Sequence, residues 1–153
     1  MPTIVDVKKY LAERGIAVLE FAAPTPTAAT AAEAVGCSVA EIAKTILFLI
    51  GNRAVAVVAA GDVRVKGSLL KRVTGWSGQV RLPQPAEVIR HTGYAAGGVC
   101  PFLLPPQLPV LIDASLRRFE IIYPAAGNDY SAVPLSVDRL LELTGGGEVT
   151  VCG

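Results

Sequence analysis

The chain has 153 residues, of which 52% are apolar and 18% charged, and a formal net charge of +1. That length fits one compact domain, residues 1–153, able to bury roughly two thirds of its extended-chain surface, and the apolar fraction excludes a disordered chain. A net charge so close to zero excludes a general nucleic-acid coat, so any polyanion must be met by a local patch.

Thr3 to Asp6 reads as a helix start, with Ile4, Val7 and Leu11 on one face and Gly15 as the stop. Residues 16–21 read as a strand, and Pro24-Thr25-Pro26-Thr27 as a turn whose last residue caps a short Ala-rich helix ending at Gly36. Ser38-Val39-Ala40-Glu41 has the form of a capping box, which predicts a second helix with Lys44 in its last turn. Residues 45–50 and 54–59 flank Gly51-Asn52 and should form an antiparallel pair, both strands buried. Short helices are expected over 68–73, stopped by Gly75, and over 86–92, stopped by Gly93. After a long loop come strands over 109–113, 119–123 and 130–135, a helix over 137–143 begun by Ser136, and a strand over 148–151. The order is a mixed α/β (α+β) one, without a regular βαβ alternation.

The first residues show no basic region leading into an apolar stretch, so no secretory leader is expected. The charge-free run over 91–112 is broken by Pro101, Pro105, Pro106 and Pro109, which is wrong for a membrane helix. Cys37, Cys100 and Cys152 are odd in number and none belongs to a C-x-x-C pair, so neither a disulfide framework nor a zinc site is indicated. A reducing, cytoplasmic location is the expectation.

Lys44 is the only charge between Glu41 and Arg53, at the mouth of an apolar strand. Desolvating an ammonium costs several kcal/mol unless a partner or a ligand anion compensates, which makes it a functional candidate. Familiar nucleophile patterns fail nearby. Gly75-Trp76-Ser77-Gly78 is one residue short of a nucleophile elbow, and the single histidine, His91, reads as a helix-end residue. Ser68-Leu69-Leu70-Lys71 lacks the companion motifs of S-x-x-K enzymes, and the stretch from Gly61 to Ser68 transposes the lysine of a phosphate loop.

Within residues 93–102 the paired Gly97 and Gly98 allow backbone amides to converge on a carbonyl or an anion, or serve merely for close approach between elements. Cys100 is a candidate nucleophilic thiol with no histidine obviously beside it, or a small buried hydrophobe. Between Asp62 and Glu87 there is no acid, while Arg64, Lys66, Lys71, Arg72 and Arg81 are all basic. Such a stretch is ordinarily a solvated face; with Trp76 it could hold a nucleic-acid backbone or stack a base.

Taken in order, residues 27–36, Ile42-Ala43-Lys44-Thr45-Ile46-Leu47-Phe48, residues 93–101, Ile112-Asp113 and Ala125-Ala126-Gly127 resemble the YbaK family. These are aminoacyl-tRNA editing domains related to the insertion domain of bacterial prolyl-tRNA synthetase. The resemblance implies a single domain whose mostly antiparallel sheet curves into a pseudo-barrel among helices. It also implies a freestanding deacylase that hydrolyses the ester of a mischarged tRNA, most simply Cys-tRNA(Pro) or Ala-tRNA(Pro), with no metal, cofactor or covalent nucleophile. On this reading Lys44, Gly97 and Gly98 are catalytic, and Thr27, Val99, Cys100, Pro101, Asp113 and Gly127 hold the aminoacyl group. Arg64, Lys66, Lys71 and Arg72 would touch the tRNA acceptor end, and an aminoacyl-tRNA synthetase is a further partner. Thr30, Lys66 and Cys100 depart from the family's usual residues, which bears on substrate choice. The competing expectations are a non-catalytic module that binds tRNA or a synthetase, and a small-molecule hydrolase that uses Cys100.

Overall fold

In the computed structural model, which describes residues 2–153, the first helix, α1 (Ile4–Ala12), is begun by Thr3, whose backbone N–H donates to Asp6 Oδ2 at 2.8 Å. A two-residue strand, β1 (Leu19–Glu20), follows, then α2 (Ala28–Val35), capped by Thr27 and closed by Gly36. The expected hairpin is present and longer than its apolar run suggested, with β2 (Ala43–Ile50) and β3 (Arg53–Ala60) in register from Ala43 opposite Ala60 to Ile50 opposite Arg53. Gly51 at φ +60 supplies the positive dihedral that a two-residue turn with glycine first requires.

Next come α3 (Gly67–Thr74), β4 (Val80–Arg81), α4 (Pro85–Thr92), β5 (Val110–Asp113), β6 (Ser131–Ala132), α5 (Val137–Thr144) and β7 (Gly147–Val149). The main sheet runs β4-β2-β3-β5-β7, antiparallel at β4-β2 and β2-β3 and parallel at β3-β5 and β5-β7, while β1 and β6 form a separate antiparallel ribbon. The sheet is therefore mixed, as expected, but open: β4 and β7 are its outer strands, and the pseudo-barrel does not form. The segment after β6 is joined to the start of β2 only through isolated bridges, Leu135 with Ile122 and Tyr123 with Ile42.

Val55, Ala56, Val57, Val58, Ala59 and Ala60 of β3 are all buried, because both faces of the central strands are covered. One face packs with Val7, Leu11, Tyr94, Phe102, Ile112, Leu116 and Leu140; the other packs Ile50, Val57 and Ala59 against Leu70 and Val151.

Several expectations are revised. The capping box at Ser38 forms, with Ser38 N–H donating to Glu41 Oε1 at 3.0 Å, but it supports a single 3-10 turn, Val39–Glu41. Lys44 is therefore the second residue of a strand rather than the last turn of a helix. The β-branched Ile42, Thr45 and Ile46 suit a ladder with β3 better than further helix. The strand expected over 119–123 is reduced to two bridges, Ile42 with Tyr123 and Ile122 with Leu135. A 3-10 turn over Ala114–Arg118 and the short β4 carried no recognisable sequence signal.

Asp113 staples the end of β5 to the end of the chain. Its Oδ1 accepts the Val151 N–H at 2.8 Å and its Oδ2 the Ser115 N–H at 3.0 Å, with only 2% of the residue exposed. Burial pushes this carboxyl up, but the hydrogen bonds from Ser115 and Val151 outweigh it and hold it below the ordinary aspartate range. A depressed folded-state value contributes stability that is present above the unfolded value, about pH 4, and is lost as pH falls through the folded one. Asp113→Ala, which leaves two buried N–H groups unpaired, should cost about 2–4 kcal/mol in urea denaturation at pH 7. The variant's stability should also fall less steeply than wild type on acidification below about pH 4.

Candidate active site

A cleft of about 200 Å³ opens between the N-terminal end of α2, the start of β2, the Gly97 loop and the segment from Tyr123 to Ala132. Lys44 is the only cation in its lining and Asp129 the only carboxylate. Thr27, Gly97 and Val99 line it as well, so with Lys44 four residues from three separate parts of the sequence meet there.

Lys44 is half-buried, and its ammonium donates a hydrogen bond to the Val63 carbonyl in the β3-α3 connection. Its field also reaches Asp62, whose carboxyl is held below the ordinary range first by the Arg118 hydrogen bonds and last by Lys44. A carbonyl partner leaves the ammonium its full charge and two further N–H donors. Thr27 is both wall and cap. Its Oγ1 accepts from Thr30 N–H at 3.1 Å, and Thr30 Oγ1 accepts from Thr27 N–H at 3.1 Å, so a threonine serves where a capping box usually has an acid.

The remaining residues singled out from the sequence lie elsewhere. Gly98 is buried behind Gly97 and its N–H donates to Ala95 O at 2.9 Å; a Cβ there would sit 3.1 Å from Gly127 O, so close approach explains this glycine. The N–H groups of Gly97 and Val99 have no such partner among the described residues. Gly127, at φ +103, lets Tyr94 and Val7 come close, since a Cβ would meet them at 3.1 and 3.4 Å. Pro101 lines a different cavity with Tyr10, Leu104 and Leu143. Asp113 performs the stapling described above.

Cys100 is 0% exposed among Tyr94, Phe102 and Ile112, and its thiol donates to Phe102 O at 3.7 Å. Burial pushes it up to about 11, which is the opposite of an activated nucleophile. Arg64, Lys66, Lys71 and Arg72 are exposed, and none is in an ion pair among the described residues. Arg81, by contrast, is held bidentate by Glu87, and the Trp76 ring is covered by the Arg53 guanidinium 4.2 Å from its centre.

Sequence reasoning passed over Asn128, Asp129, Tyr123 and Thr45 as cleft residues. Asn128 and Asp129 directly follow the Ala125-Ala126-Gly127 segment, and a Gly-Asn-Asp turn was the available signal. The turn is tied down from across the molecule: the Asp129 carbonyl accepts from both the N–H and, at 2.8 Å, the Oγ1 of Thr25.

Residues 22–143 match the family described as the aminoacyl-tRNA editing domain. The chain belongs to that family. An uncharacterised Bacillus subtilis (strain 168) protein, YwhH, is 37% identical over 128 residues, 83% of this chain and 80% of its own length. The crystal structure of a proposed trans-editing enzyme for prolyl tRNA synthetase superposes with a TM-score of 0.88 at 31% identity, over 100% of this chain and 98% of the other. A hypothetical protein, APE2540, superposes with a TM-score of 0.86 at 33% identity, over 96% and 99% of the two chains.

The core position of Cys100 gives a direct check. With its thiol near 11 and shielded, Cys100 should alkylate at pH 7.5 at least roughly 100-fold more slowly than a free thiol, as read by peptide mass spectrometry after timed iodoacetamide exposure. Unfolding the protein in urea should abolish the difference.

Proposed function

We propose that the protein is a trans-acting deacylase that hydrolyses the ester of a mischarged tRNA, with the aminoacyl group in the cleft and the terminal adenosine at its mouth. The observation that carries this reading is the meeting of Lys44, Asp129, Gly97 and Val99 around one small cleft in an editing-family chain. The structural likeness to a proposed trans-editing enzyme for prolyl tRNA synthetase supports tRNA(Pro) bearing a small wrong residue, cysteine or alanine, as the substrate. A cleft of about 200 Å³ walled by Ala28, Ala31, Ala43 and Val99 suits side chains of that size.

In the proposed reaction water adds to the ester carbonyl, and negative charge develops on its oxygen. The free N–H groups of Gly97 and Val99 and the Lys44 ammonium are the available donors to that oxygen. Asp129 is the one lining carboxylate able to pair with the substrate's α-ammonium. The carbon–oxygen bond to the ribose then breaks, and the water's proton reaches the leaving ribose oxygen through the adjacent ribose hydroxyl. Gly61 runs so close to the cleft wall that a Cβ on it would lie 3.0 Å from Ala28 Cβ, and the basic track through Arg64, Lys66, Lys71 and Arg72 begins just beyond it. Those four cations are the groups proposed to meet acceptor-stem phosphates.

A panel of mischarged tRNAs tests the reading, with release of cysteine or alanine from tRNA(Pro) expected. Lys44→Ala should lower kcat/KM at least about 100-fold, and retention of full activity would remove Lys44 from the mechanism. tRNA binding with no turnover of any ester would instead establish a binding module of the same fold. Replacing Arg64, Lys66, Lys71 and Arg72 by alanine one at a time should each reduce the slope of log affinity against log salt by about one for every phosphate no longer neutralised.

A further inference from the structure

Asp62 stands immediately before the residue whose carbonyl Lys44 holds, and the Lys44 field is felt at its carboxyl. The Asp62 side chain is 39% exposed, so packing does not lock it in place. A carboxylate and an ammonium brought this near each other attract, and nothing in the chain's covalent geometry keeps them apart. Yet Lys44 is in no ion pair among the described residues.

What occupies Asp62 instead is Arg118. Its Nη1 and Nη2 donate to the two carboxylate oxygens at 3.0 and 2.7 Å, a bidentate fork. The guanidinium is oriented by its own turn: its Nε donates to Ser115 O at 2.8 Å, and it lies over the Phe119 ring, 5.0 Å from the centre. That turn is anchored in the core, since Ser115 N–H donates to Asp113 and Ser115 Oγ accepts from Ala60 N–H at 3.3 Å. The connection carrying Asp62 is pinned on both sides. A Cβ on Gly61 would collide with the Val39 carbonyl, and Lys66 N–H donates to Val151 O at 2.7 Å. Asp113, the other carboxylate whose charge reaches Arg118, is already engaged by the Val151 and Ser115 N–H groups. Asp62 is therefore the acid at this end of β2 whose partner decides whether Lys44 stays free.

We infer that Arg118 is a positioning residue that keeps Asp62 off Lys44, so that the only cation lining the cleft remains unpaired for substrate. The inference rests on the deacylase reading above. An ammonium already paired with a carboxylate is a weaker donor to a developing oxyanion, whereas one held by a neutral carbonyl keeps its full charge. Exposed ion pairs add little to stability, so a purely structural Arg118–Asp62 pair would leave activity almost untouched when broken.

The test is a mutant cycle on hydrolysis of the cysteinyl and alanyl esters of tRNA(Pro). Arg118→Ala, which releases Asp62, should lower kcat/KM about tenfold; adding Asp62→Asn, which removes the released charge, should restore it to within about threefold of wild type. Arg117→Ala, which breaks the adjacent pairs with Asp138 and Glu148, should leave activity unchanged. Full activity in Arg118→Ala, a double variant as slow as Arg118→Ala, or an equal loss in Arg117→Ala would overturn the inference. If wild type cleaves neither ester, the deacylase reading falls, and the state of Lys44 is read separately by timed acetylation with N-hydroxysuccinimidyl acetate and peptide mass spectrometry. Lys44 should then react several-fold more slowly in Arg118→Ala than in wild type and recover in the double variant. A rate in Arg118→Ala no lower than wild type, or no recovery in the double variant, ends the inference.

Discussion

The antiparallel ladder between β2 and β3 is the constraint on which the rest of the molecule depends. Both faces of the pair are covered, so neither strand can slip by one position without carrying a row of apolar side chains onto the wrong side. That register places Lys44 opposite Ala59 and Thr45 opposite Val58, which leaves Lys44 directed to the Val63 carbonyl. A single hairpin therefore decides which cation enters the cleft.

Everything brought to that cleft arrives by local chemistry of its own. Thr27 is held by a capping box, Gly97 by the turn that uses the Gly98 amide, and Asp129 by the two bonds its carbonyl accepts from Thr25. The polar groups that hold the walls are backbone groups and hydroxyls, and the Lys44 and Asp129 charges are left out of ion pairs among the described residues. Arg117 and Arg118, by contrast, are neutralised in place: Arg117 joins Asp138 and Glu148, and Arg118 joins Asp62. The proposed chemistry requires that contrast, because a cleft whose only cation were already neutralised would have little to offer an anionic substrate.

Much of the fold was legible in the sequence because its signals are short-range. Thr3, Thr27 and Ser136 cap helices that begin where their spacing indicates, and Gly51-Asn52 turns the hairpin. The order of strands was not legible, since β5 reaches β3, and β7 reaches β5, through parallel pairings that no local pattern encodes. Lys44 was recognisable as a charge out of place, yet the capping box just before it carried the helix too far, because a local preference yields to a ladder that runs the whole length of β2. The cleft was half legible. Lys44, Thr27, Gly97 and Val99 stood in recognisable segments, but sequence neighbours such as Cys100, Pro101 and Asp113 are turned into the core by the same loops and strands. Asp129 escaped notice because lying next to a motif says nothing about which way a side chain faces.

The wall formed by α2 differs in kind from the floor formed by β2 and β3. Only Ala32 of that helix is buried, whereas every position of β3 from Val55 to Ala60 is locked in the core. Larger residues in β3 would disrupt packing throughout the domain, while larger residues at Ala28 or Ala31 would change the depth of the cleft alone. The fold thus separates what must stay constant from what can drift, and a lineage could retune the size of the accepted group through one exposed helix without putting its own foldedness at risk.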